Sequence, residues 1–168
     1  TNWGDYGSIC PFNAVLFSTA LGAEMGWSAG DSLSPTFEQT ASRLLYDSDV
    51  NVAALIRRME RCQRVCNWHR LVHWHSENRI EHRATSLSCD TARATAAIAE
   101  IDDVAAQLRA ISGTDERIND LVLACRGIRL VLHVCLHVNN ADGFSDDTAL
   151  HAEADAWLRE YHTAWLRD

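Results

Sequence analysis

AIAEIDDVAAQLRAISGTDERINDLVLACRGIRLVLHVC, residues Ala97–Cys135, is the stretch on which the fold turns. Its apolar positions fall in two runs: Ile98, Ile101, Val104, Leu108 and Ile111, then Ile118, Leu121, Cys125, Ile128, Leu132 and Cys135. Each run advances by threes and fours, the repeat that lays one apolar stripe along an α-helix. Between them Ser112-Gly113 reads as a stop, with Gly113 at a left-handed cap. Thr114 reads as the N-cap of the second helix, with Asp115 and Glu116 in its first turn. Two long helices joined by so short a turn lie antiparallel, and each needs further helices to cover its stripe.

Such helices are encoded on both sides. Val52, Leu55, Met59, Cys62, Cys66, His69 and His73 keep the same spacing and predict a long helix from Asn51 to Arg83. Before it, the loop Gly30-Asp31-Ser32 leads to Ser34-Pro35, an N-cap followed by proline at the first helical position. A helix is therefore expected from Pro35 to Tyr46, with Glu38 in its first turns. Ala14–Trp27 follows Pro11 and Asn13, is rich in Ala, Leu and Phe, is broken by Gly22 and Gly26, and reads as a short buried helix. After the second long run, Asn139–Phe144 is a polar loop. Ser145, Asp146 and Asp147 then restart a helix that carries Leu150, Ala154, Trp157, Tyr161, Ala164 and Trp165. The expected fold class is mainly α, an antiparallel helical bundle. No motif recurs at a period of about 20–50 residues, which excludes a solenoid.

A chain of 168 residues that is 47% hydrophobic is long and apolar enough to bury a core. Its 15 basic residues are all arginine, a mark of coding composition more than of mechanism. Against them stand 23 acidic residues, and the net charge of -8 disfavours nucleic acid and anionic membranes as partners. No apolar run approaches the roughly 18–20 residues of a membrane span, and no basic segment followed by an apolar one opens the chain. The six cysteines, Cys10, Cys62, Cys66, Cys89, Cys125 and Cys135, lie mostly at apolar helical positions, the pattern of thiols in a reducing, cytoplasmic compartment.

Cys62, Cys66, His69 and His73, with His75 and His82 beyond, support two readings. On one helix face they offer thiolate and imidazole, the ligands a soft metal prefers, and His133, Cys135 and His137 would have to complete the shell from a second helix. Alternatively they are small and semi-polar core residues. Their spacing matches no zinc finger, knuckle or His-Glu-x-x-His pattern, so no metal or other cofactor is assigned, and Trp68 and Trp74 beside them read as packing residues. Arg57, Arg58, Arg61, Arg64 and Arg70 read as a solvated face paired with Glu60 and Glu77 rather than as a basic strip. The acidic run around Asp142-Gly143 lacks the ligand spacing of a calcium loop, and no phosphate loop, dinucleotide fingerprint or nucleophile elbow is present.

The chemistry-bearing segment is the first: Thr1-Asn2-Trp3-Gly4-Asp5-Tyr6-Gly7. It reads as the end of a buried strand that presents a ring and a carboxylate together. Trp3 can stack on the apolar face of a pyranose, Asp5 can accept hydrogen bonds from its hydroxyls, and Gly4 and Gly7 let the backbone approach. A tryptophan at a strand end also serves as core, and the Tyr6 phenol fits either the pocket or the rim.

Trp3-Gly4-Asp5-Tyr6 resembles the Trp-Gly-Glu-Tyr motif that closes the catalytic barrel of family-20 glycoside hydrolases, the β-N-acetylhexosaminidases. Gly22-Ala23-Glu24-Met25-Gly26-Trp27 resembles the Gly-Ala-x-x-x-Trp run after that strand in a bacterial branch of the family. Tyr161-His162-Thr163-Ala164-Trp165-Leu166-Arg167 is similar to the Tyr-x-x-x-Trp-Leu-Arg signature of the last helix. The resemblance implies that residues 1–30 end an eight-stranded (β/α) barrel and residues 31–168 form a helical C-terminal domain. It implies an N-acetylated amino-sugar glycoside as substrate, with Trp3, Asp5 and Tyr6 as substrate-binding residues. The catalytic Asp-Glu pair would lie upstream of Thr1, in the remainder of the barrel. Asp5 stands where the commoner motif has Glu, one methylene longer, which bears on the epimer preferred. A start without Met or a preceding strand, and a last helix that reaches Asp168 uncapped, are read as the ends of a piece of a longer protein. The alternative reading is a freestanding helical interaction or metal-binding protein; a separate carbohydrate-binding module is the weakest, because one Trp and one Asp give little contact area.

Overall fold

The computed structural model describes residues 12–27, 36–66, 90–113, 115–139 and 147–166. They form six helices: α1 (Phe12–Trp27), α2 (Phe37–Tyr46), α3 (Val52–Gln63), α4 (Thr91–Ser112), α5 (Glu116–Val138) and α6 (Asp147–Trp165). No strand occurs among the described residues, and the protein is mainly α.

The α4–α5 hairpin is the centre. Asp90 opens α4, its carboxylate accepting from the Arg93 N–H at 3.1 Å. At the far end Gly113 has the expected positive φ of 48°, but its ψ of -118° is not that of a left-handed cap. It opens a tight turn, closed where the Asp115 N–H donates to the Ser112 carbonyl at 2.7 Å. Because the turn closes only at Asp115, that residue and not Thr114 caps α5. Its backbone is extended and its carboxylate accepts from the Arg117 N–H at 2.9 Å. Arg117 in turn bonds the Asp115 carboxylate and the Leu45 carbonyl at the end of α2. Arg129 of α5 pairs with Asp102 of α4 at 3.1 Å, a contact across the antiparallel hairpin.

The stripes meet as their spacing predicts. Ile101, Val104 and Leu108 of α4 and Ile118, Leu121, Cys125, Ile128, Leu132 and Cys135 of α5 are all buried, together with Val52, Leu55, Met59 and Cys62 of α3. Arg58 ties α3 to the middle of α4 through Glu100 and Asp103 at 2.6 and 2.5 Å, and Arg57 reaches Glu38 of α2 at 2.6 Å. These arginines are thus paired, but with carboxylates of other helices rather than with Glu60 of their own; Glu77 lies outside the described residues.

Two expected boundaries and one expected burial are corrected. The helix expected to run to Arg83 ends at Gln63: the Arg64 N–H still reaches Glu60, but the Val65 N–H bonds the Cys62 carbonyl three residues back, tightening and closing the last turn. Helix α2 begins at Phe37 with Thr36 at its cap, while Ser34 and Pro35 lie outside the described residues. Helix α1 is not buried throughout. It packs on α2 and α5 through Phe17, whose ring lies 6.1 Å from that of Phe37, while Thr19, Gly22, Ala23, Met25 and Gly26 face solvent. The expected division after residue 30 and the strand at Trp3–Asp5 also fall outside the described residues.

Candidate functional site

Trp3, Asp5 and Tyr6 lie outside the described residues, as do His69, His73, His75, His82, Trp68, Trp74, Cys10 and Cys89. The rival Cys/His cluster is described in part. Cys62 is buried on α3, and Cys66 is buried at a bend beyond the helix end, so the two do not continue one helical face into a ligand stripe. Burial pushes the Cys62 thiol up, with the Glu100 carboxylate adding to the effect. A raised thiol is the opposite of what a nucleophile requires. On α5, Cys135 belongs to the main core, while His133 and His137, two residues to either side, are half-buried on the other face of the helix. Among the described residues no group of three or more His, Cys, Asp or Glu side chains is arranged to hold a metal ion. Cys62, Cys66, Cys125 and Cys135 are in no disulfide.

The described site with the most structure is the seam between α5 and α6. Here Leu123, Trp157 and Ala164, flanked by Leu130 and Tyr161, form a second apolar cluster separate from the main core. Gly127 makes it possible: a Cβ there would stand 2.8 Å from Cζ2 of Trp157, so only a glycine lets the indole lie against the backbone of α5. The Trp157 Nε1–H donates to the Leu123 carbonyl at 2.9 Å, and the indole stacks on Tyr161 at 5.0 Å between centroids. Arg126–Glu160 and Arg129–Glu153 bind the rim, and Arg129 bridges to Asp102 of α4 as well.

Beside this contact runs an open groove of about 330 Å3. Asn119, Asp120 and Leu123 line it from α5, and Arg159, Glu160 and Thr163 from α6. Asp120 is buried, and the Thr163 hydroxyl donates to the Arg159 carbonyl at 2.9 Å. Such a mixture of carboxylate, amide, hydroxyl and guanidinium can hydrogen-bond a small polar molecule. Trp157 and Ala164 were legible as apolar helical positions. The buried Asp120 was not, since its spacing carries no sign of burial. Gly127, a glycine inside a strong helix pattern, is a signal that could have pointed to the close approach, but the sequence reading passed over it.

Compared with protein-family models, with curated proteins and with solved structures, the chain matches none.

Proposed function

We propose that this chain is the C-terminal portion of a family-20-like glycoside hydrolase acting on terminal N-acetylhexosamine. The observation that carries the reading is the run Trp3-Gly4-Asp5-Tyr6-Gly7, in which a ring, a carboxylate and two glycines stand together. The helical character of the residues that follow agrees with a C-terminal helical domain beside a barrel. In this reading Trp3 forms the wall against which the sugar stacks, and Asp5 accepts hydrogen bonds from hydroxyls on its far edge. Tyr6 stands at the pocket edge. None of the three performs the chemistry. The substrate's acetamido oxygen attacks its own anomeric carbon, a glutamic acid upstream of Thr1 protonates the departing oxygen, and an aspartate beside it orients the acetamide.

The test is made in the longest natural polypeptide, first mapped by intact mass and N-terminal peptides. An extension carrying an Asp-Glu pair at a strand end, with hydrolysis of a chromogenic β-N-acetylglucosaminide or galactosaminide, is expected. Trp3→Ala should then lower kcat/KM about 100-fold, the roughly 3 kcal/mol that one aromatic pocket wall contributes. Unchanged kinetics would remove Trp3 from the pocket. A native start at Thr1, or hydrolysis by the 168 residues alone, would overturn the reading.

A further inference from the structure

We propose that the end of the bundle where α3 closes and α4 begins is a docking surface for a short acidic peptide of a partner protein, held by Arg61, Arg64 and Arg93. The inference goes beyond the glycosidase reading and does not rest on it.

The packing brings the three arginines to one corner. The Leu45 carbonyl at the end of α2 bonds Arg117 in the first turn of α5, so α3, which begins a few residues later at Val52, starts beside the α4–α5 turn. It then runs back along α4, its Arg58 meeting Glu100 and Asp103 in the middle of that helix. Beyond this contact Arg64 lies six residues on in α3 and Arg93 seven residues back from Glu100 in α4. These are advances of about 9 and 10.5 Å in the same direction. Arg61 precedes Arg64 by one turn, and Arg93, two turns from Glu100, shares the face of α4 that meets α3. All three are exposed.

The corner carries charge that the fold does not use. Arg43, Arg57, Arg58, Arg117, Arg126 and Arg129 each pair with a carboxylate, whereas Arg61, Arg64 and Arg93 make no ion pair among the described residues. Glu100, on which Arg61 acts, is held by Arg58 at 2.6 Å, and the Asp90 carboxylate caps α4 by accepting from the Arg93 backbone N–H at 3.1 Å. Glu60 is the only other acid between Asn51 and Cys66 or at the start of α4. Nor does the connecting sequence supply the missing carboxylates, since residues 67–89 hold Arg70, Arg79 and Arg83 against Glu77 and Glu81. Residues 57–93 have eight arginines and four acids, a surplus of four positive charges, while the rest of the chain has a surplus of twelve negative ones.

This partition decides the kind of partner. A guanidinium offers planar paired donors that match a carboxylate. Screening confines the field of each arginine to about 8–10 Å, so a peptide of a few residues at the corner meets a net positive charge. A long nucleic acid or a membrane reaches past it onto the acidic remainder and is repelled. An extended peptide repeats its side chains on one face about every 6.6 Å, which lets successive carboxylates reach arginines on two packed helices about 8–10 Å apart.

The experiment is fluorescence anisotropy of a fluorescein-labelled hexaglutamate titrated with the whole chain at about 50 and 300 mM salt, with hexaglutamine and a long single-stranded DNA as comparison probes. Hexaglutamate should bind at the lower salt and weaken at the higher, hexaglutamine should not bind, and the DNA should bind more weakly than hexaglutamate. Arg61→Gln, Arg64→Gln and Arg93→Gln should each weaken binding about two- to fivefold. Arg109→Gln, at the far end of α4, should leave it unchanged. Amide shifts of the wild-type chain on titration should concentrate at residues 60–66 and 90–94, a map that needs no variant to fold. The proposal is overturned if hexaglutamate does not bind at low salt, if the three variants bind as wild type, or if Arg109→Gln loses as much as they do. It is overturned equally if shifts fall elsewhere, or if the DNA binds more tightly than the peptide, which would make the corner a nucleic-acid surface.

Discussion

Ser42 shows how much one small side chain can do where two helices meet. It is fully buried on α2, donates from Oγ to the Glu38 carbonyl at 2.7 Å, and accepts from the Ala53 N–H of α3 at 3.1 Å. That N–H is one of the first-turn donors a helix cannot satisfy itself; its neighbour on Ala54 is met by Asn51 Oδ1 at 3.0 Å. Ser42→Ala strands the Ala53 donor in the core, and thermal or urea unfolding should record a loss of about 1–3 kcal/mol. A loss below about 0.5 kcal/mol would show that water reaches the site. Gly127 poses the opposite problem, since it is the side chain's absence that matters. Alanine there gains about 1 kcal/mol of helix propensity. It also drives a methyl into a rigid indole, at a cost of about 1–3 kcal/mol. The clash wins locally, so Gly127→Ala should lower exchange protection in α6 and leave α4 unchanged. Tyr46 is a third such residue. Burial pushes its phenol up to about 12, against the lowering effects of a hydrogen bond with the Phe17 backbone and of Arg117, so it stays neutral and holds α2 to α1.

At the scale of the element, the first turn of α5 illustrates what sequence conveys and where it stops. The apolar positions of α3, α4 and α5 were legible because period 3.6 is imposed by burial on one side. Caps depend instead on which residue the preceding turn delivers. Both Thr114 and Asp115 have the chemistry to cap, and only the turn, which closes at Asp115, decides between them. The end of α3 was hidden for a related reason: Cys66, His69 and His73 continue the spacing, while the tightened turn at Val65 leaves no mark in it. The proposed role of Trp3 rests on its motif alone, since residues 1–11 lie outside the described residues. Asp115→Ala should cost about 1 kcal/mol through the lost cap, within a range of 0.5–2, read by thermal unfolding at pH 7. The Arg117 guanidinium holds the Asp115 carboxyl below its ordinary value, and Arg58 does the same to Glu100 and Asp103. Lowered carboxylates stabilise above their unfolded values near pH 4, and that stability is lost as pH falls through the folded ones. Stability should thus decline steadily on acidification below about pH 4.5. Asp115→Asn, which keeps the acceptor without the charge, should flatten its share of that decline.

At the scale of the molecule, the decisive property is that, among the described residues, five helices share one apolar core and the sixth packs on another. Cys62, Cys66, Cys125 and Cys135 lie in the first, and Trp157 anchors the second. The two cores therefore carry separate reporters. A thiol reagent attacks only thiolates that water can reach, and the burial that raises Cys62 adds a further barrier. In a chain with Cys10→Ser and Cys89→Ser, the four core thiols should remain nearly inert to Ellman's reagent at pH 8 until the main core opens. Exchange in residues 147–166, by contrast, should lose protection at lower urea, since local opening of α6 costs only its small cluster and the rim pairs of Arg126 and Arg129. Two separated midpoints, α6 first and thiols second, are the expected result. Coincident midpoints would mean that the Arg129 bridge to Asp102 and Glu153 couples the two cores into one cooperative unit, and Arg129→Met should then pull the midpoints apart. Either result measures how strongly one arginine, shared among three helices, binds α6 to the body.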